Sequence, residues 1–98
     1  MEKEISLIWK KRAENSLKSI FEFIAKDNPQ NAENYIFRLI QFGEDLTILP
    51  PKYAACRYRK FENRGFLCAV FDKKYIVFFR FKENAIFICN IIHASRLA

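Results

Sequence analysis

The spacing of apolar residues divides the chain into a helical first half and a strand-rich second half. Ile5, Leu7 and Trp9 alternate with Ser6, Ile8 and Lys10, the two-residue period of a short strand. The period then lengthens. Ala13, Leu17, Ile20 and Ile24 recur at i, i+4, i+7 and i+11, the stripe of an amphipathic helix, and Phe21 and Phe23 are expected to widen it. Asp27-Asn28-Pro29 stops this helix, because the residue before a proline is pushed out of the α region. Asn28 then suits the cap, and Pro29 the first position, of a second helix over about residues 29–48. Its stripe is Ala32, Ile36, Leu39, Gly43 and Leu46, with Tyr35 and Ile40 alongside. Gly43 lowers helix propensity by about 1 kcal/mol. Close approach to the sheet or to the first helix would offset that cost.

Pro50-Pro51 ends the second helix, and the period returns to two. Arg57–Phe61 reads as a short basic and aromatic strand. Phe66–Phe71, Tyr75–Phe81 and Ala85–Ile92 follow, separated by the polar turns Asp72-Lys73-Lys74 and Lys82-Glu83-Asn84. Successive strands joined by short polar turns predict an antiparallel meander. Helices segregated from strands indicate an α+β class, with the N-terminal strand and helical hairpin packed on a small antiparallel sheet.

Composition narrows the function classes. The chain has 98 residues, 51% of them hydrophobic, so one domain over residues 1–98 with a small core is expected. No apolar run approaches the roughly 20 residues that span a bilayer. The N-terminus lacks an apolar signal region, so a cytoplasmic protein is expected. Cys56, Cys68 and Cys89 are odd in number and widely spaced, with no paired Cys-x-x-Cys and no Cys/His cluster. Free thiols, no zinc site, and no metal or other cofactor follow as expectations.

The net charge of +6 is unevenly placed. Residues 1–26 carry +2, residues 27–51 carry −3 and residues 52–98 carry +7. Such asymmetry suits a polyanionic or acidic partner, or a solvated basic face. Lys52, Arg57, Arg59, Lys60 and Arg64 crowd one segment, with Tyr53, Tyr58 and Phe61 between them. Guanidinium groups bind phosphates in pairs and aromatic rings stack on bases, which would suit nucleic acid. Basic edge strands also serve to prevent sheet-to-sheet pairing. Arg80 interrupts an otherwise apolar strand, either to face solvent or to join the other arginines. His93 is the only side chain that titrates near neutrality unaided, and Arg96 follows three residues later. In a metal-free ribonuclease His93 would serve as general acid or base and the arginines would stabilise the phosphorane. Otherwise His93 caps the strand end. No Gly-rich phosphate loop, paired metal carboxylates or nucleophile motif is present.

These features, taken in order, resemble the RelE/ParE superfamily of type II toxin–antitoxin toxins. They are Trp9 and Ala13, Leu17 to Ile24, Asn28-Pro29-Gln30-Asn31-Ala32, Leu46 with Leu49-Pro50, Arg57–Phe61, Tyr75 to Arg80, and Ile91-Ile92-His93-Ala94-Ser95-Arg96. The resemblance implies a plasmid-stabilisation toxin neutralised by a cognate antitoxin. Two activities go with it. ParE-like members inhibit DNA gyrase and are not nucleases. RelE-like members are ribosome-dependent mRNA endoribonucleases, often with a C-terminal tyrosine, which this chain lacks. On the RelE-like reading the catalytic residues would be His93, Arg80, Arg57 and Arg59. Lys52, Lys60, Arg64 and Arg96 would contact the nucleic acid or target on either reading. The departures from RelE favour gyrase slightly over ribosome-bound mRNA.

Overall fold

The computed structural model describes residues 5–48 and 66–97. A strand, β1 (Ser6–Trp9), leads into helices α1 (Lys11–Ala25) and α2 (Pro29–Asp45), then strands β2 (Leu67–Phe71), β3 (Tyr75–Lys82) and β4 (Ala85–His93). A short 3₁₀ turn, Ala94–Leu97, follows. The expected Arg57–Phe61 strand lies outside the described residues.

The helix break forms as the sequence requires. Asn28 is extended, and its Oδ1 accepts the Asn31 backbone N–H at 3.0 Å, while Pro29 opens α2. At the other end α2 stops at Asp45, short of the expected residue 48. Leu46, Thr47 and Ile48 instead form tight i→i−3 bonds, and the Thr47 hydroxyl donates to the Glu44 carbonyl. Hydroxyl back-bonding of this kind favours a turn over continued helix.

The sheet order is β1-β4-β3-β2. β2, β3 and β4 form the antiparallel meander read from the sequence. β1 joins parallel to β4, pairing Ser6 with Ala85 and Trp9 with Ile88, so the sheet is mixed. The two hairpin turns place Asp72, Lys73, Glu83 and Asn84 at positive φ, between 51° and 61°. This is the backbone of a type I′ turn, whose twist matches that of the flanking strands.

The helical hairpin covers one sheet face. Its stripe (Ala13, Ile20, Leu39 and Leu46) packs on Val77, Phe79, Ile86, Ile88 and Ile91. Phe21 is half-buried, but Phe23 is 71% exposed and does not extend the stripe. A smaller cluster on the other face gathers Ile76 and Phe78 with Phe66, Cys68, Ile92 and Ala94. The ladder shifts register between Phe78 and Phe79, which pair with Asn90 and Ile88 and leave Cys89 as the extra residue. The bulge lets Asn90 meet α1, where the Ser16 hydroxyl lies 2.9 Å from its Oδ1.

Cys89 is a free thiol, but Cys68 is disulfide-bonded. This corrects the expectation of three free thiols. A single bridge needs only two Cβ atoms within about 4 Å, so an odd count and wide spacing argue against a framework and not against one bond. Among the described residues no helix is long and apolar enough to cross a membrane.

Candidate functional site

A groove of about 980 Å³ runs between α1 and the end of the β3–β4 hairpin. One wall is the outer side of α1, with Arg12, Asn15, Ser19 and Phe23. The other is built from Lys74 of the β2–β3 turn, Tyr75 at the start of β3, His93 at the end of β4, and Ser95 and Arg96 of the 3₁₀ turn. Among the described residues Arg12, Lys26, Lys74 and Arg96 face it with Glu22 as the lone carboxylate, so its field is positive.

The groove's base is aromatic. Tyr35 of α2 meets Phe71 and Tyr75 edge-on, at ring centroid distances of 5.4 and 6.1 Å. Its hydroxyl donates to Asp72 Oδ2 at 3.0 Å and ties α2 to the β2–β3 turn. Burial first, then the hydrogen bond to Asp72 and the charge on Asp72, push the Tyr35 hydroxyl well above its ordinary range; Arg38 opposes them. Burial also raises Tyr75, against the pull of nearby Arg96.

His93 and Arg96 therefore belong to one groove. His93 pairs with Tyr75 across the ladder, and the two rings stand edge-to-face with centroids 5.1 Å apart. His93 Nδ1 lies 2.8 Å from the Ser95 hydroxyl and accepts the Ser95 backbone N–H at 3.1 Å. A backbone N–H can only donate, so Nδ1 carries a lone pair and the ring proton sits on Nε2.

Arg80 is elsewhere. Five residues separate it from Tyr75 along β3, which is about 17 Å of strand. Five is odd, so its side chain leaves from the face opposite Tyr75. Its guanidinium stacks over the Phe66 ring, 4.4 Å from the centroid. The structure thus does not bring Arg80 to His93. Around Arg80 lies a second basic patch. Lys10 Nζ sits 5.8 Å from the Phe87 ring centroid. Burial pushes the Cys89 thiol upward while Arg80 and Lys10 oppose it. Lys52, Arg57, Arg59, Lys60 and Arg64 lie outside the described residues.

Sequence reading missed Arg12 and Lys74 as groove cations. Arg12 carries a weak signal, as the residue next to Ala13 at the start of the buried stripe of α1. Lys74 reads as an ordinary turn lysine, and only the pairing of Tyr75 with His93 reveals its place.

No curated protein matches this sequence at a significant level. Solved structures do match. The chain is similar to one in the chromosomal ParDE TA system from P. aeruginosa, with a TM-score of 0.76 and 21% identity, covering 92% of this chain and 96% of that one. It is also similar to a chain of the toxin–antitoxin complex RelBE2 from Mycobacterium tuberculosis, with a TM-score of 0.63 and 16% identity, covering 93% of this chain and 99% of that one. At these identities the likeness establishes the fold. The family model described as "ParE toxin of type II toxin-antitoxin system, parDE" matches residues 7–98. With mixed sheet, helical hairpin and near-complete sequence match in agreement, the chain belongs to the ParE toxin family, within the RelE/ParE superfamily of type II toxins.

Proposed function

We propose that this toxin arrests growth by inhibiting DNA gyrase in the cytoplasm, and that a cognate antitoxin neutralises it. The separation of His93 from Arg80 carries the reading. A metal-free ribonuclease on the scheme above needs a proton-transfer group and phosphate-stabilising arginines within hydrogen-bond reach of one phosphate. His93 and Arg80 stand on opposite sheet faces, about 17 Å apart along the strand. A gyrase inhibitor needs no such convergence. It needs a rigid surface of defined charge, which the groove with Arg12, Lys74 and Arg96 supplies.

The antitoxin reading is supported by the matched structures, which come from ParDE and RelBE2 toxin–antitoxin systems. An acidic segment would complement the basic groove. A role in plasmid stabilisation is part of the same proposal.

The test is a supercoiling assay with purified gyrase, run beside mapping of mRNA 5′ ends after induction of the toxin alone. Loss of supercoiling and an SOS response, with no new 5′ ends, is the expected result. New ends inside coding regions that require ribosomes would overturn it and establish the ribonuclease.

A further inference from the structure

We propose that His93 is a positioning residue that fixes Arg96 at the mouth of the groove, and that it does not transfer protons. This goes beyond the gyrase reading and holds whichever target the toxin has.

The last ladder residue is His93, and the chain must turn sharply after it. The Ala94 N–H closes the strand by donating to the Lys74 carbonyl at 2.7 Å. The first N–H groups of the 3₁₀ turn then have no partner within the turn itself. Ser95 N–H is one of these, and His93 Nδ1 accepts it at 3.1 Å. The Ser95 hydroxyl approaches the same nitrogen at 2.8 Å. The imidazole does for this turn what an asparagine side chain does at a helix N-cap.

The ring is fixed on its other side as well. Tyr75 is its cross-strand partner and meets it at 86°. Tyr75 is buried in the main core, so the imidazole is anchored to the most rigid part of the sheet. A turn held at its first residue sets the direction of the side chain that follows. Arg96, one residue past Ser95, is thereby placed beside Tyr75 and faces the groove.

The same geometry argues against proton transfer. Nδ1 is occupied by Ser95, and Nε2 already holds the proton, so the ring has no vacant lone pair to act as a base. Positioning explains the spacing His93-Ala94-Ser95-Arg96 as a unit: acceptor, turn, donor, cation.

The experiment compares His93→Ala, His93→Asn and Arg96→Ala, each induced without antitoxin, with inducer dose for growth arrest as the readout. The asparagine Oδ1 takes the place of Nδ1 and can accept the Ser95 N–H, but it cannot exchange protons near neutrality. His93→Ala is expected to lower potency about tenfold, the effect of one lost cap, and His93→Asn is expected to restore most of it. His93→Ala combined with Arg96→Ala should be no weaker than Arg96→Ala alone. An asparagine variant as inactive as the alanine variant would overturn the proposal in favour of proton transfer, as would an alanine variant of full potency in favour of no role. Two-dimensional ¹H–¹⁵N spectra of His93 supply a readout independent of the target. They should show the proton on Nε2, and a proton on Nδ1 would also overturn the assignment. Circular dichroism identifies any variant that fails to fold. In that event the spectrum of the unaltered protein decides.

Discussion

Gly43 on α2 lies directly against the indole of Trp9 on β1. A Cβ at position 43 would stand 2.7 Å from Cζ2 and 2.9 Å from Cη2 of that ring, with Ile88 Cδ1 at 3.0 Å. The contact involves the stiff far edge of an aromatic ring, wedged between helix and sheet. Gly43→Ala should therefore destabilise the protein, although alanine is the better helix former by about 1 kcal/mol. We expect a net loss of about 1–3 kcal/mol from overpacking, measured by urea denaturation. Trp9→Phe in the same chain should relieve part of it, so the double-mutant cycle should show favourable coupling.

Burial of Tyr35, together with its hydrogen bond to Asp72, makes stability fall at alkaline pH. Tyr35 holds its proton more tightly in the folded state than in the unfolded chain. Its contribution is thus complete below about pH 10, the unfolded value, and is lost as the pH rises above it. Denaturation midpoints should run parallel for the wild type and Tyr35→Phe below about pH 10 and fall more steeply for the wild type above it. Equal slopes would mean that Tyr35 does not govern the loss.

The Asn28 cap offers a smaller and cleaner test. Asn28→Ala removes the acceptor of the Asn31 N–H and should cost about 1 kcal/mol without altering the groove. Asn28→Asp or Asn28→Ser should retain most of the stability. The readout is the shift in thermal midpoint.

The two type I′ turns leave room for stabilisation. Lys73 and Glu83 hold φ values of 57° and 51°, where a side chain is costly and glycine is not. Lys73→Gly gives the favoured Asp-Gly pair and should add about 0.5–1 kcal/mol. Glu83→Gly should act similarly. A decrease in either variant would imply that the side chain makes a contact outweighing its backbone strain.

Much of this architecture could be read from local chemistry. Asn28-Pro29 marks the helix boundary to the residue, and the turn pairs Asp72-Lys73 and Glu83-Asn84 mark both hairpins. The stripe through Ala32, Leu39, Gly43 and Leu46 is the buried one. Strand parity is legible as well. A two-residue turn at Glu83-Asn84 pairs Lys82 with Ala85 and Arg80 with Phe87, which already puts His93 far from Arg80. What could not be read was non-local. Four residues of β1 contain no signal for a parallel partner, and the bulge at Cys89 is a one-residue shift that hydrophobic pattern alone does not reveal. Nor does sequence show that Tyr35, Lys74 and Arg12 converge with His93, because they come from four separate elements.

The parallel seating of β1 has a consequence for the order of assembly. Its sheet partners begin at Ala85, so Ser6–Trp9 leaves the ribosome long before any strand exists to receive it. Contacts between residues so far apart in sequence are slow to form, because a long loop must close before they contribute. Completion of the sheet waits on the synthesis of β4. A chain broken before Ala85 would leave its first strand with no place to dock, so the sheet is complete only once β4 has been made.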